Sequence, residues 1–288
     1  MERHVDSLAL AELIANGDRF ADLSRPTKAL AQDRLFRIWR PGGPVLLKVY
    51  GTPARARREA HALQALAGIK GVPVPVDSGI HSDVSWALFI DPGEWSLGQL
   101  PENHRLGFAA GQILRAVHDS DPAALSNLAR GIDAEWVAVD FASTMRRLNR
   151  YRAKLGIDVE LYEAARSIPT PFASAPRGTH TDPSPENFAV DEYGGVTLNN
   201  WQWATLAPPE WDLSKAVWLA TIHAGPKVAA GIQEGYGVVI EDDQLARWTV
   251  YHAAMRLVYE AEQRMGDRGT DSYDDTLAQL RAAVQRAS

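Results

Sequence analysis

The 288-residue sequence predicts an α+β fold, with a small strand-rich first part and a larger, mostly helical second part. Three observations carry this. Short β-branched and aromatic runs crowd the stretch up to residue 90. Helical periodicity dominates after a break at Asp91-Pro92-Gly93. Strand character returns only around "ENFAV" and "GVTLNN". The expected domains are residues 1–90, an antiparallel sheet plus a helix, and residues 91–288, the helical part.

The elements follow in order. "MERHVDSLALAELIAN" reads as an amphipathic helix, because Glu12 interrupts its apolar run and no small-residue cleavage site follows, unlike a signal peptide. "RLFRIWR" and "VLLKVY" are strands, and "PGGP" (41–44) turns the chain between them. Thr52 and Pro53 open a helix as N-cap and first-turn proline, and Gly68 closes it. "GVPVP" begins an extended segment, and "VSWALFI" (84–90) reads as a buried strand. Beyond the break, Leu106, Ala109, Ala110, Ile113, Leu114 and Val117 recur at helical spacing. Residues 121–168 hold two or three further helices. "QLARWTVYHAAMRLVYEAEQRM" and "SYDDTLAQLRAAVQR" supply the C-terminal ones.

Composition narrows the function classes. With 45% hydrophobic and 23% charged residues the chain is an ordinary globular protein. It has no cysteine, which excludes disulfides, thiolate nucleophiles and Cys-based zinc sites. The net charge of −6 is uneven: residues 1–90 hold 12 basic against 9 acidic side chains, and the remainder 18 against 27. That split suits an anionic ligand at the first part and a cationic one at the second, although solvated surface charge explains the same numbers equally well. It argues against a general nucleic-acid binder. The apolar stretch "AVWLATIHAGPKVAAGI" contains His223, Gly225, Pro226 and Lys227, and so does not span a bilayer. The expectation is a cytoplasmic protein with a small-molecule partner and no membrane; no motif speaks to oligomeric state.

Two constellations carry chemistry. On the strand "PVLLKVY", Lys48 shares a face with Leu46 and Tyr50. On the next helix Glu59 falls on the apolar stripe of Ala56, Ala60, Leu63, Leu66 and Ala67. A carboxylate on that face is costly unless a cation meets it, and Lys48 is the cation at hand. A strand lysine pinned by a helix glutamate can hold the α- and β-phosphates of a nucleotide. Each residue alone reads as a snorkelling lysine and an exposed glutamate. The second constellation is "HTDPSPENF". Phosphoryl transfer needs a carboxylate to orient and deprotonate the attacking hydroxyl, and oxygen ligands to hold Mg²⁺ against the phosphates. Asp182 fits the base. Asn187, five residues on, offers an amide oxygen to the metal, and His180 braces the loop.

With these residues in place, the chain resembles the aminoglycoside phosphotransferase and choline kinase branch of the protein-kinase-like fold. "LLKVYG", "RREAHALQAL", "LRAVHDS", "HTDPSPENFAV" and "WQWATLAPPEWDLS" occur in that family's order from about residue 45 to 215. The resemblance implies a two-lobed fold, with ATP or GTP bound at a hinge near Ile90 and Asp91, reaching Gly93. It implies that Lys48 and Glu59 clamp phosphate, Asp182 is the base, and Asp212 props up the catalytic loop. It also implies a small hydroxylated substrate on the helical lobe, and that lobe's acidity suits a cationic, aminoglycoside-like or amino-alcohol molecule.

The sequence departs from the family at three places. Thr181 stands where the family usually has glycine, a poor occupant if the backbone there needs positive φ. The stretch "LSRPTKALAQDR" (23–34), expected to cover the phosphates, has no glycine, leaving Lys28 to contribute charge. Asn200 stands where the family has its metal-binding aspartate, so with Asn187 the metal meets two neutral amides; Asp191 and Glu192 sit at the hairpin turn. Mg²⁺ typically takes one or two carboxylates plus phosphates. A loss comparable to an oxyanion-hole donor is on the order of 10²–10³-fold in rate. Beside a phosphotransferase with a weakened Mg²⁺ site stand two alternatives. One is a silent pseudokinase that binds a nucleotide, metabolite or partner. The other is a pocket rededicated to acid/base chemistry by Asp182 or His180. Trp136, Trp218, Tyr236 and Trp248 are candidates to line a substrate pocket, or are simply core.

Overall fold

In a computed structural model of the chain, the structure describes residues 7–24, 32–125, 131–263 and 271–287. The first lobe comprises α1 (Ser7–Ala15), β1 (Arg19–Asp22), β2 (Arg34–Arg40), β3 (Gly43–Val49), α2 (Pro53–Ala65), β4 (Pro75–His81) and β5 (Val84–Ile90). Its strands form an antiparallel sheet in the order β1-β2-β3-β5-β4. Alternation divides the side chains between two faces. Phe36, Ile38, Leu47, Val49 and Leu88 bury one face against Leu10, Ala11 and Ala15 of α1. The register sets Leu35 opposite Lys48, Arg37 opposite Leu46, and Leu46 opposite Phe89, so these residues form the other face. Thr52 caps α2 by accepting from the N–H of Arg55 at 3.4 Å, with Pro53 in the first turn. Ser82 and Asp83, at φ 47° and 69°, supply the paired positive φ of a tight hairpin between β4 and β5.

The chain leaves β5 through Asp91-Pro92-Gly93. Gly93 has φ +128°, and a Cβ there would lie 2.1 Å from the carbonyl oxygen of Val190, so only glycine fits. β6 (Trp95–Ser96) then joins the sheet of the second lobe, pairing with the later hairpin strand β8.

That lobe continues through α3 (His104–His118), α4 (Pro122–Leu125), α5 (Ala134–Tyr151), α6 (Val159–Ser167), β7 (Arg177–Thr179), β8 (Phe188–Val190), β9 (Val196–Leu198) and β10 (Thr205–Ala207). It ends in α7 (Pro209–His223), α8 (Pro226–Tyr236), α9 (Asp242–Gln263) and α10 (Asp271–Ala287). Asp133 and Asp158 cap α5 and α6, accepting from Trp136 and Leu161 at 2.8 and 2.7 Å. α3 and α8 cross with their backbones nearly touching, since a Cβ on Gly111 or Gly235 would lie 2.1 or 1.9 Å from a carbonyl of the facing helix.

Two cores hold this lobe. One gathers Phe141, Leu148, Trp211, Trp248 and Leu257 between α5, α7 and α9. The other runs from Leu63, Leu66 and Phe89 in the first lobe to Phe188, Leu198 and Trp201 in the second, so the lobes share packed apolar side chains behind the cleft. Among the described residues no helix is long and apolar enough to cross a membrane.

Candidate functional site

A cleft of ≈ 580 Å³ opens between the sheet face of the first lobe and the β8–β9 hairpin of the second. Lys48 enters it from β3, only 5% exposed, and donates to Oε2 of Glu59 at 2.6 Å. Glu59 is 2% exposed and also accepts, on Oε1, from the N–H of Trp201 at 2.9 Å. A buried carboxylate is tolerated here because its cation and a backbone donor both meet it. The pair therefore ties α2 to the end of the β8–β9 hairpin.

The loop that carries His180, Asp182 and Asn187 hangs between β7 and β8, and β7 is held by antiparallel pairing to β10. Asp212, fully buried at the start of α7, accepts from the backbone N–H of His180 at 2.6 Å and of Thr181 at 2.7 Å. Nε2 of His118 lies 3.3 Å from the same carboxylate. Capping two consecutive N–H groups turns Thr181 to φ +66°. That conformation is costly for a β-branched residue. The Thr181 hydroxyl partly offsets it by donating to the carbonyl of Trp203 at 2.9 Å. His180 is also fully buried: Nδ1 accepts from the Asp182 N–H at 3.2 Å, so Nε2 carries the proton that reaches the Asn199 carbonyl at 2.7 Å. Burial holds its pKa below the ordinary histidine value, so the ring is a neutral strut between the loop and the end of the hairpin.

Asp182 follows this frame and is hydrogen-bonded to Asn187, which lines the cleft. Burial pushes its carboxyl up, but the Lys215 ammonium, 2.8 Å away on α7, together with His180 and the Asn187 hydrogen bond, offsets burial and holds the group below the usual carboxylate range. Asn187 adds a donor, its Nδ2 lying 2.7 Å from the carbonyl and 3.3 Å from Oδ2 of Asp182. Oδ1 of Asn187 accepts from Nδ2 of Asn200 at 3.4 Å, and Oδ1 of Asn200 accepts from Lys48 at 2.9 Å. Lys48, Asn200 and Asn187 line the cleft, and one continuous polar chain thus connects them to Asp182 and Lys215, which lie outside its lining.

This chain bears directly on the metal. The donor set is two neutral amides, and each amide oxygen already accepts a hydrogen bond, one of them from an ammonium. Among the described residues no three carboxylate or imidazole groups cluster as metal ligands would. The residues present do not fit Mg²⁺. Asn200 also has a conformational role: its φ of 72° is one that asparagine tolerates far better than most residues.

Sequence reasoning missed three participants. Asp33, directly before β2, lies 3.5 Å from Lys48 and accepts from the N–H of Gly51 at 2.9 Å, so the lysine meets a second carboxylate beside Glu59. Its signal was the acidic residue inside the stretch assigned to cover phosphates. Lys215 follows Asp212 by three residues, and one turn of α7 carries it back over the loop. Arg37 occupies the hinge end, paired with Asp91. Of the hinge residues, Asp91 lines the cleft, but the side chain of Ile90 is 70% exposed and turned away, leaving Phe89 on the cleft face. Lys28 and residues 25–31 of the covering stretch lie outside the described residues. Trp218, Tyr236 and Trp248 are buried, and Tyr236 meets His118 at 2.8 Å; Trp136 packs on Trp211.

With this geometry in view, comparisons with known proteins converge. The profile described as the phosphotransferase enzyme family (APH) matches residues 23–257. Spectinomycin phosphotransferase APH(9)-Ia, solved with ADP and spectinomycin, superposes with a TM-score of 0.70 at 13% identity, covering 99% of this chain and 98% of its own. An aminoglycoside 2′-phosphotransferase mutant in its GDP complex gives 0.71 at 12%, covering 96% and 97%. Macrolide 2′-phosphotransferase MphH from Brachybacterium faecium gives 0.64 at 16%, covering 97% and 98%. At such identities these likenesses establish the fold. No curated protein matches at the sequence level.

Proposed function

The chain belongs to the phosphotransferase enzyme family, and we propose that its cleft transfers the γ-phosphoryl group of a purine nucleoside triphosphate to a hydroxyl of a small, cationic, hydroxylated molecule. The observation that supports this most is the hydrogen-bonded chain that runs from Lys48 in the cleft through Asn200 and Asn187 to Asp182. The acceptor oxygen attacks phosphorus while the bond to the β–γ bridging oxygen breaks. The hydroxyl proton passes to Asp182, and the nucleoside diphosphate departs. Asn187 orients Asp182, Lys48 meets the phosphates, and Lys215 holds Asp182 ionised beside the developing charge. The molecules named with the structural relatives, spectinomycin among them, mark the acceptor class. The acidic second lobe suits a cation.

The two amides at 187 and 200 favour a second reading, nucleotide binding without turnover, because their oxygens are already engaged within the protein. One experiment separates the two. γ-Labelled ATP and GTP are incubated with a panel of aminoglycosides, spectinomycin and macrolides, alongside nucleotide thermal shifts with and without Mg²⁺. Transfer that falls about 10²–10⁴-fold in Asp182→Asn is expected. A metal-independent thermal shift with no transfer selects the silent reading. No nucleotide shift at all overturns both and leaves the rededicated pocket.

A further inference from the structure

The hinge end of the cleft is closed by side-chain chemistry. Arg37 projects from β2 with its side chain 11% exposed, and Asp91, 4% exposed, meets it from the hinge. The guanidinium makes a two-pronged contact with that carboxylate: Nε bonds Oδ2, and Nη2 lies 3.2 Å from Oδ1. Nη2 also donates to the backbone carbonyl of Gly93 at 3.0 Å, and Nη1 reaches Glu94 at 3.4 Å. The backbone donors of the hinge are equally engaged. The N–H of Asp91 donates to Pro44 at 3.1 Å, Pro92 has none, and the N–H of Gly93 donates to Oδ1 of Asp91 at 3.0 Å.

A purine edge is read by N–H and C=O groups placed opposite its own donors and acceptors. From 91 to 93 no N–H is free to supply that code, and Arg37 occupies the Gly93 carbonyl. This end of the cleft also presents apolar surfaces such as Leu46 and Ala189 beside the polar Ser96 and Gln99, and stacking on the apolar surfaces does not distinguish one base from another. We propose that Arg37 is a specificity-determining residue that seals the hinge, so that the cleft recognises the triphosphate and is indifferent to the base attached to it. This rests on the cleft being a nucleotide site, but it concerns binding alone, so a failure of phosphoryl transfer leaves it standing.

The test is a titration of wild-type protein with ATP, GTP and inorganic tripolyphosphate, repeated on the double variant Arg37→Leu/Asp91→Ala. The double variant removes both charges together and frees the Gly93 N–H and carbonyl. In the wild type the Kd values for ATP and GTP are expected within about fivefold of each other. In the double variant at least one purine triphosphate tightens tenfold or more, and tripolyphosphate stays within twofold. Wild-type protein that prefers either ATP or GTP over the other by more than about fivefold overturns the proposal, and this comparison holds even if the variant does not fold. So does a folded variant in which nucleotide affinity is unchanged or weaker, or a wild type that binds none of the three at millimolar concentration.

Discussion

Asp212 is the residue on which the geometry of the loop carrying Asp182 depends, and its replacement gives a calculable loss. Its carboxylate accepts two short bonds from adjacent backbone N–H groups, at 2.6 and 2.7 Å, in a fully buried position. Hydrogen bonds to a charged group are worth about 1.5–3 kcal/mol each. Asp212→Ala leaves both donors without a partner, and the expected loss is about 3–6 kcal/mol. Asp212→Asn keeps one acceptor but points an amide N–H₂ at the second donor, so the loss is about 2–4 kcal/mol. At roughly 2 °C per kcal/mol for a chain this large, the asparagine variant melts about 4–8 °C lower. Urea denaturation followed by tryptophan fluorescence reads this directly, because Trp201 and Trp211 flank the loop: Trp201 packs on His180, and Trp211 donates to the Thr181 carbonyl. A loss below about 1 kcal/mol for the alanine variant would refute the assignment of Asp212 as the loop's anchor.

The same frame predicts other responses. Thr181→Gly trades the relief of a positive φ against a lost hydroxyl bond and a floppier unfolded chain, so stability changes by less than about 1 kcal/mol; Thr181→Val keeps the strain, loses the bond to Trp203, and costs about 1–2 kcal/mol in the same urea titration. In Lys215→Met, Asp182 loses the strongest of the influences that offset its burial, its pKa rises, and the acidic limb of the pH–rate profile moves to higher pH; an unmoved limb removes Lys215 from the site. His252 is buried beside Ser214 at 3.0 Å, and burial keeps its folded pKa well below the ordinary value. The unfolded chain therefore takes up a proton that the folded chain refuses, and stability falls as pH drops below about 6.5. Melting scans of His252→Leu between pH 7 and 5 should give a shallower dependence than wild type.

Much of this was legible in the sequence, for identifiable reasons. β2, β3 and α2 carry their own signals: seven-residue runs, a glycine turn, and a threonine–proline start. Lys48 and Glu59 could be paired because a buried glutamate on an apolar stripe demands a cation. By contrast β7 and β10, which suspend the loop carrying Asp182, are three residues each, too short for alternation to register. β1, with four residues and only partial burial, is equally silent. Arg37 was hidden for another reason. On an alternating strand it reads as a solvated position, and only the antiparallel register of β2, β3 and β5 brings it to the hinge. Lys215 and Asp33 meet their partners through tertiary placement, which residue spacing does not encode.

The most direct test of the account is Asn200→Asp, assayed for phosphoryl transfer and for nucleotide hydrolysis with and without Mg²⁺. Asn200 already holds a positive φ that aspartate also tolerates, and its oxygen already faces Lys48 at 2.9 Å, so the exchange adds a charge with little change of shape. The account predicts a Mg²⁺-dependent rise of at least about tenfold over wild type, because a neutral amide there withholds the carboxylate that Mg²⁺ requires. A folded variant with unchanged rates at every Mg²⁺ concentration would contradict it.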